Sequence, residues 1–398
     1  MSPSAEVLHS RALVVQLARL GDLIQSVPAI DALRQAYPTR ELDVLCASPL
    51  VSVLGQYPGV RRVLGWDGGQ WRGLAEQWTD EPGLALRSVQ AQLSTEGVAP
   101  YEVVYNLNQH SRSIIAAHLY GGRVVGAGAA GPLDPSLSLW GEYLRSVAKD
   151  RSGNRIHLAD AWCGLCGVKP LGRAPRLTRG AERLPHDLEG VGKARGLWCA
   201  LAVGAGDRER CLSAGDWGNW AQAYLTHLPE AHLLLVGSGA EREVGRAVVE
   251  GLSSLSQGRV WDATGRTTLP QLMELLSRCS WVVGADTGPL HVGTAVGARA
   301  LGFYFARARV HETGPYGDGH WVFQHDTTEH PASWPWDASV ELLAGRSGAP
   351  ERGWTLWKSH MDEWGALYTH DAESERAAGM RESIWRSLCP WVEEKIAV

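Results

Sequence analysis

Trp281-Val-Val-Gly-Ala-Asp286-Thr-Gly-Pro-Leu-His291-Val-Gly293 is the stretch whose reading decides the fold. Trp281, Val282 and Val283 form an apolar run of the kind that makes a short buried strand, residues 284–289 read as a tight turn, and 290–296 as the start of a helix. A strand that feeds a helix through a polar, glycine-bearing turn leaves backbone N–H groups free at the helix start, where an anion can sit. Asp286, Thr287 and His291 project at that turn. Two readings compete there. Asp and Thr are ordinary helix-capping residues, with His291 a satisfied neighbour; or the three are ligands of an anionic group.

The pattern repeats outward from this stretch. Upstream, 197–203 reads as a strand, Gly204-Ala-Gly206 as a glycine turn, 207–215 as a polar loop and 216–227 as a helix. A strand at 232–236 ends in Gly237-Ser-Gly239 and leads to a helix over 240–252, then a strand at 259–262 and a helix over 269–278. Downstream, 300–305 reads as a strand. The first half alternates in the same way: strands at 12–17, 42–47, 60–66, 102–107 and 123–126, with helices over 23–36, 84–95 and 113–120, then 137–147 and 156–165. Strands alternating with helices imply βαβ units and mostly parallel sheets, so the chain is α/β. Residues 168–194 carry Pro170, Pro175 and Pro185 with little periodicity and read as the boundary between two domains. The expected division is 1–180, 195–330 and a Trp-rich helical extension, 331–398, with helices over 338–343, 357–367 and 373–388. Its tryptophans, among them Trp334, Trp336, Trp354, Trp357, Trp364, Trp385 and Trp391, must be buried, most simply across both domains, or else form a partner surface.

With 398 residues, 44% hydrophobic and 20% charged, the chain suits two soluble domains with full cores. A formal net charge of -5 argues against a general nucleic-acid binder. The sequence holds no run of about 18 apolar residues and no secretory leader, so a cytoplasmic protein is expected, with peripheral contact at the inner face of the membrane left open. Seven cysteines in scattered positions suit a reducing compartment. Cys163-Gly-Leu-Cys166 has no second pair and reads as two small residues on a helix rather than a metal site.

In an open α/β sheet, ligands bind beyond the carboxyl ends of the strands, and polar residues gather there. In the first half these are Arg19, Gly21 and Asp22, then Asn106, Asn108, His110 and Arg112. In the second half they are 204–210, 237–241, 265–267 and 286–291. Gly204-Ala-Gly206 is neither a full G-x-G-x-x-G nor a Walker motif. With Arg208 and Arg210 on the same loop, it makes a diphosphate clamp plausible, since guanidinium offers paired donors to phosphate oxygens; a solvated charged loop is the alternative. Glu241 opens a helix, where its carboxylate is favoured by the dipole and is also placed to bind ribose hydroxyls. Asp22, in a strand-to-helix turn, is either a general base that takes a proton from an acceptor hydroxyl or a cap for the helix that follows.

Two motifs carry a resemblance. Residues 14–30, Val-Val-Gln-Leu-Ala-Arg-Leu-Gly-Asp-Leu-Ile-Gln-Ser-Val-Pro-Ala-Ile, resemble the N-terminal motif of the ADP-heptose–lipopolysaccharide heptosyltransferases, glycosyltransferase family 9. Residues 283–293, with Asp286-Thr-Gly-Pro-Leu-His291, are similar to that family's nucleotide-sugar motif, and Thr313-Gly-Pro-Tyr-Gly317 followed by His320 to a further short one. The resemblance implies a GT-B fold: two Rossmann-like domains facing across a cleft, with a C-terminal helical segment packing back on the N-terminal domain. It implies an inverting, metal-independent transfer of a sugar, heptose from ADP-heptose, onto a cell-surface glycan precursor such as lipopolysaccharide core, with no cofactor beyond the donor. By the resemblance Asp22 takes the position of the catalytic base; Asp286, Thr287, Gly288 and His291 hold donor sugar and diphosphate; Glu241 lies near a ribose-binding glutamate and Thr267 near the adenine pocket. Arg210 stands where a family member has lysine, and Ala205 and Gly206 stand where hydroxyl side chains often bind diphosphate, so that the backbone N–H of Gly206 would substitute. The expected partners are a nucleotide sugar and a glycan or glycolipid acceptor. An epimerase of the same fold and a non-catalytic nucleotide-sugar-binding protein are the other classes this pattern admits.

Overall fold

Arg11–Gln16 is a strand buried almost from end to end, which is what a continuous apolar run gives when helices cover both faces of a parallel sheet. In the computed structural model, which describes residues 10–69, 71–73, 81, 84, 87, 88, 91, 100–131, 137–180, 182–327, 329–370 and 374–389, this strand (β1) is the centre of the first of two sheets. Strands β2 (Glu41–Ala47), β3 (Arg62–Trp66), β4 (Val103–Asn106) and β5 (Arg123–Gly126) complete it in the order β3-β2-β1-β4-β5, all parallel. The chain divides into two compact units, Met1–Ser146 with Ala161–Lys169, and Val147–Asp160 with Pro170–Val398.

The second unit holds an eight-stranded sheet, β13-β12-β11-β10-β9-β6-β7-β8. Its parallel part comprises β6 (Trp198–Ala202), β7 (His232–Val236), β8 (Val260–Asp262), β9 (Trp281–Ala285), β10 (Arg299–Tyr304) and β11 (Trp321–His325). The remaining two strands, β12 (Trp354–Asp362) and β13 (Gly365–Thr369), form an antiparallel hairpin added to β11, with Val322 opposite Trp357. Strand order reverses between β1 and β4 in the first sheet and between β6 and β9 in the second. These are the switch points where crevices open at the carboxyl ends of an α/β sheet.

The alternation read from the sequence is present, with three differences. The helix expected over 23–36 is two, Leu20–Gln25 and Val27–Ala36. The Ser26 hydroxyl donates to the Leu23 carbonyl at 2.7 Å, and Pro28 has no N–H to continue the ladder. Strand β11 was not anticipated. The helix expected over 357–367 is corrected to the β12–β13 hairpin, whose turn Gly365 makes at φ +100°, a conformation side chains disfavour. Most of the helix expected over 84–95, and Trp391, lie outside the described residues.

The core of the second unit takes in three of the tail's tryptophans. Trp334 and Trp354 are buried in it with Trp217, Trp220, Phe303 and Phe323, and Trp336 packs at its margin. Trp217 donates its indole N–H to the Val203 carbonyl (3.1 Å) and Trp220 to the Ser339 hydroxyl (3.0 Å), so these large rings are buried without orphaned donors. The final helix, Ser374–Leu388, packs on β13, and its Trp385 lies near Trp364 of the hairpin turn.

The helix Gly288–Val296 approaches β9 so closely that a Cβ on Gly293 would stand 2.4 Å from Val282 Cγ2. Gly293→Ala is therefore expected to lower stability by about 1–3 kcal/mol through overpacking, read as a lower denaturation midpoint at unchanged slope. An unchanged midpoint would mean that the helix is not seated as described.

Candidate donor-side and acceptor-side sites

At the β6/β9 switch point, β9 ends and Asp286 follows it, 7% exposed, at the foot of the helix Gly288–Val296. Arg210 reaches it from the loop after β6. Its Nη1 donates to Asp286 Oδ2 at 2.5 Å and to the Asp286 carbonyl at 3.3 Å, while Nη2 bonds Asp207. His291, one turn into the helix and 2% exposed, sets Nε2 at 3.5 Å from Asp286 Oδ1. Its Nδ1 is buried without a hydrogen-bond partner among the described residues. Burial pushes the Asp286 carboxyl up, but the His291 hydrogen bond and the Arg210 charge outweigh it and hold the group below the ordinary carboxylate range.

Thr287 occupies the N-cap position with extended backbone, yet its side chain makes no capping bond. The reading of this stretch as a merely capped helix start is thus not what the geometry provides: the first-turn N–H groups have no side-chain acceptor from the cap. Gly288 opens the helix beside Asp286.

The other strand ends follow in order. Gly204 lies against Glu241, since a Cβ on Gly204 would be 2.5 Å from Glu241 Cγ. Gly206 is exposed on the same loop. Glu241 closes a capping box in which its Oε2 accepts from the Ser238 N–H at 2.6 Å and from the Ser238 hydroxyl. Thr267 is half-buried in the loop after β8, one residue before the cap Thr268 of the next helix. The structure brings Arg210, Asp286 and His291 into contact and sets Gly204 against Glu241. It puts Thr267 on a neighbouring loop without linking it to the others.

Residues not singled out as ligands complete the surroundings of Asp286. Tyr304, at the end of β10, donates its hydroxyl to the Thr313 carbonyl at 2.6 Å, and both residues border Asp286. His157, fully buried, accepts from the Ala159 N–H at Nδ1 (3.1 Å) and so donates from Nε2 to the Gly314 carbonyl (2.9 Å). Burial pushes its pKa down to about 3, so it stays neutral. Tyr368 from β13 donates to the Pro315 carbonyl at 3.1 Å, so residues 313–317 are gripped from two sides of the chain. Thr313 was legible through the Thr-Gly-Pro-Tyr-Gly motif; no one-dimensional signal marks His157. His320 is likewise buried and neutral, its pKa lowered to about 4 by burial, and its Nδ1 accepts from the Ala300 N–H at 3.1 Å.

In the first unit, Asp22 lies in the first turn of the helix Leu20–Gln25 and accepts the Arg19 N–H at 3.1 Å. Two buried amides and the exposed Arg112 hold the turn that precedes it. Asn108 Oδ1 accepts the Leu17 N–H at 2.7 Å, Gln16 Oε1 accepts the Ala18 N–H at 3.2 Å, and Arg112 donates to the Leu17 carbonyl at 3.2 Å. Asn106 ties in through the Asn108 N–H, and His110 caps the helix Ser111–Leu119. Among the described residues, no group of three or more His, Cys, Asp or Glu side chains is arranged to hold a metal ion, and no helix is long and apolar enough to cross a membrane.

Removing the Arg210 charge strands a buried carboxylate. Arg210→Met is expected to cost about 3 kcal/mol near neutral pH. In the wild type the folded Asp286 carboxyl is held low, so its contribution is complete above the ordinary carboxylate range and is lost as pH falls through the folded value. The gap between wild type and variant should therefore narrow as denaturation is repeated from pH 7 down to pH 4, because a protonated Asp286 has no need of a cation. A gap independent of pH would contradict this reading of the pair.

Residues 216–333 match the family model described as Glycosyltransferase family 9 (heptosyltransferase). A lipopolysaccharide core heptosyltransferase, OpsX, from Haemophilus influenzae is 21% identical over 327 residues, covering 77% of this chain and 81% of that protein. Among solved structures, a family 9 glycosyl transferase from Veillonella parvula superposes with a TM-score of 0.62 at 17% identity, covering 87% of this chain and 94% of the other. The E. coli heptosyltransferase WaaC with ADP superposes with a TM-score of 0.60 at 18% identity, covering 84% and 99%. The fold is GT-B, with two parallel-dominated sheets.

Proposed function

We propose that this chain, a glycosyltransferase family 9 enzyme, moves heptose from ADP-heptose onto a lipopolysaccharide core precursor, with inversion at the anomeric carbon and without a metal. The observation that carries the reading is the Arg210–Asp286–His291 cluster at the β6/β9 switch point, beneath a helix start that its own cap residue leaves open. The named activity of the Haemophilus relative and the ADP held by WaaC favour the same donor and acceptor classes.

The roles follow from chemistry. Arg210 is flanked by two carboxylates, so the trio with Asp207 and Asp286 carries a net negative charge and does not by itself attract a diphosphate. Attraction comes from the N–H of Gly288 at the helix start, where Pro289 has none and the Leu290 N–H is taken by the Thr287 carbonyl, from the backbone N–H of Gly206, and from Arg208, exposed on the same loop. Arg210 has further N–H donors beyond those committed to carboxylates, and these stabilise the leaving diphosphate as its charge develops. Asp286 fixes the orientation of Arg210 and His291, and Thr287 offers its uncommitted hydroxyl to the donor. Glu241 spends Oε2 on Ser238 and offers Oε1 to the ribose; Thr267 lines the adenine end. Asp22 takes the proton of the acceptor hydroxyl as that oxygen bonds the anomeric carbon and the bond to the diphosphate breaks, releasing ADP. A cytoplasmic location at the inner membrane face suits a soluble donor and a lipid-linked acceptor.

The test supplies ADP-heptose and core acceptor and follows ADP release. Asp22→Asn is expected to lower kcat by about 100-fold or more while donor KM changes little. Near-wild-type turnover would remove Asp22 from the role of base.

A further inference from the structure

Residues 305–312 leave the sheet at the end of β10 and return beside the same carboxylate. Tyr304 precedes the loop and Thr313 follows it; both border Asp286, and the Tyr304 hydroxyl bonded to the Thr313 carbonyl closes the base. Inside, the backbone is committed. Arg309 donates to the Ala306 and Ala308 carbonyls at 2.8 and 2.7 Å. The amide of Gln324, 4% exposed on β11, donates to the Ala308 carbonyl at 3.2 Å and accepts the Val310 N–H at 3.0 Å. Arg151 takes the Arg307 carbonyl at 2.9 Å. Ala306 is held at φ +53°, the one non-glycine residue with positive φ among those described. A conformation that disfavours side chains persists only where surroundings over-determine it, and such positions cluster at ligand-binding loops. Of the eight loop residues only Arg307 is exposed, and its guanidinium has no hydrogen bond or ion pair among the described residues.

The sheet order locates this cation relative to the proposed donor. The proposed adenine and ribose contacts fall after β8 and β7, and the proposed diphosphate contacts after β6 and β9, in a sheet ordered β8-β7-β6-β9-β10. The next strand in that direction is β10. A donor laid along this edge therefore ends, at its sugar, toward the 305–312 loop. We propose that Arg307 binds an anionic substituent, a phosphate ester or a carboxylate, on the acceptor glycan, next to the point where the sugar is transferred. This rests on the donor reading above. A rigid loop that displays one planar guanidinium is suited to paired hydrogen bonds with such a group and selects for its charge.

The experiment measures transfer from ADP-heptose to deacylated core oligosaccharide in three forms: native, dephosphorylated, and with carboxyl groups reduced. Arg307→Gln is expected to raise the acceptor KM of the native form about tenfold, to leave donor KM and melting temperature unchanged, and to carry no penalty on whichever stripped form has lost the contacted anion. That form tells phosphate from carboxylate. An unchanged acceptor KM, an equal penalty on all three forms, or a matching rise in donor KM overturns the proposal. If the wild type itself fails to turn over, the donor reading is at fault. Calorimetric binding of the native oligosaccharide then decides: a tenfold loss in Arg307→Gln supports the contact, and equal or absent binding overturns it.

Discussion

A carboxylate buried at the end of a central strand, under the start of a helix, must be matched by a cation. In the second unit that requirement governs the local architecture. Asp286 is matched by Arg210, 76 residues earlier in the chain, and this is possible only because β6 and β9 are neighbours. The partnership fixes the loop after β6 as a tight turn whose Asp207 braces the other side of the guanidinium. It also sets His291 against the remaining carboxylate oxygen. Because the charge is met by side chains, the Gly288 N–H at the helix start is left for something else. A structure that only needed to end a strand would have used the Thr287 hydroxyl as a cap.

The first sheet answers a related problem with neutral groups. There the switch point lies between β1 and β4, and Gln16, Asn106 and Asn108 satisfy the backbone of the turn before Asp22. Asn106 and Asn108 each use both donor and acceptor character, while Gln16 spends its Oε1 on the Ala18 N–H and the Asn108 amide and leaves its buried Nε2 without a partner among the described residues. The two units therefore hold their strand-end turns by different chemistry, a buried ion pair in one and mainly amide hydrogen bonding, with one Arg112 contact to the backbone, in the other.

Much of this was readable from local patterns, because buried parallel strands are short apolar runs and the loops after them carry glycine and polar residues. Asp22, Arg210, Asp286 and His291 could be placed at strand ends from the sequence. That Arg210 touches Asp286 could not, since strand order within the sheet is a long-range property. His157 escaped for the same reason. The hairpin reads as a helix in the sequence because two periods coexist in it. Trp357, Met361, Trp364 and Tyr368 fall at helical spacing, while Trp357 and Ser359 alternate with the less buried Lys358 and His360. Propensity does not choose between them; the open edge of β11, with backbone groups to satisfy, does.

That edge gives the tail a significance beyond packing. β11 carries Trp321, Val322 and Phe323, and the β12–β13 hairpin occupies its outer side. A chain ended near residue 330 would keep every strand-end loop proposed to hold the donor. It would also present an apolar, unpaired strand as a template for other chains and uncover the ring of Phe303, against which Trp334 and Trp354 pack edge to face. The Trp-rich segment is in this sense the cover of an otherwise open sheet edge, and the limits of a well-packed second unit are set by that edge rather than by the reach of its strand-end loops.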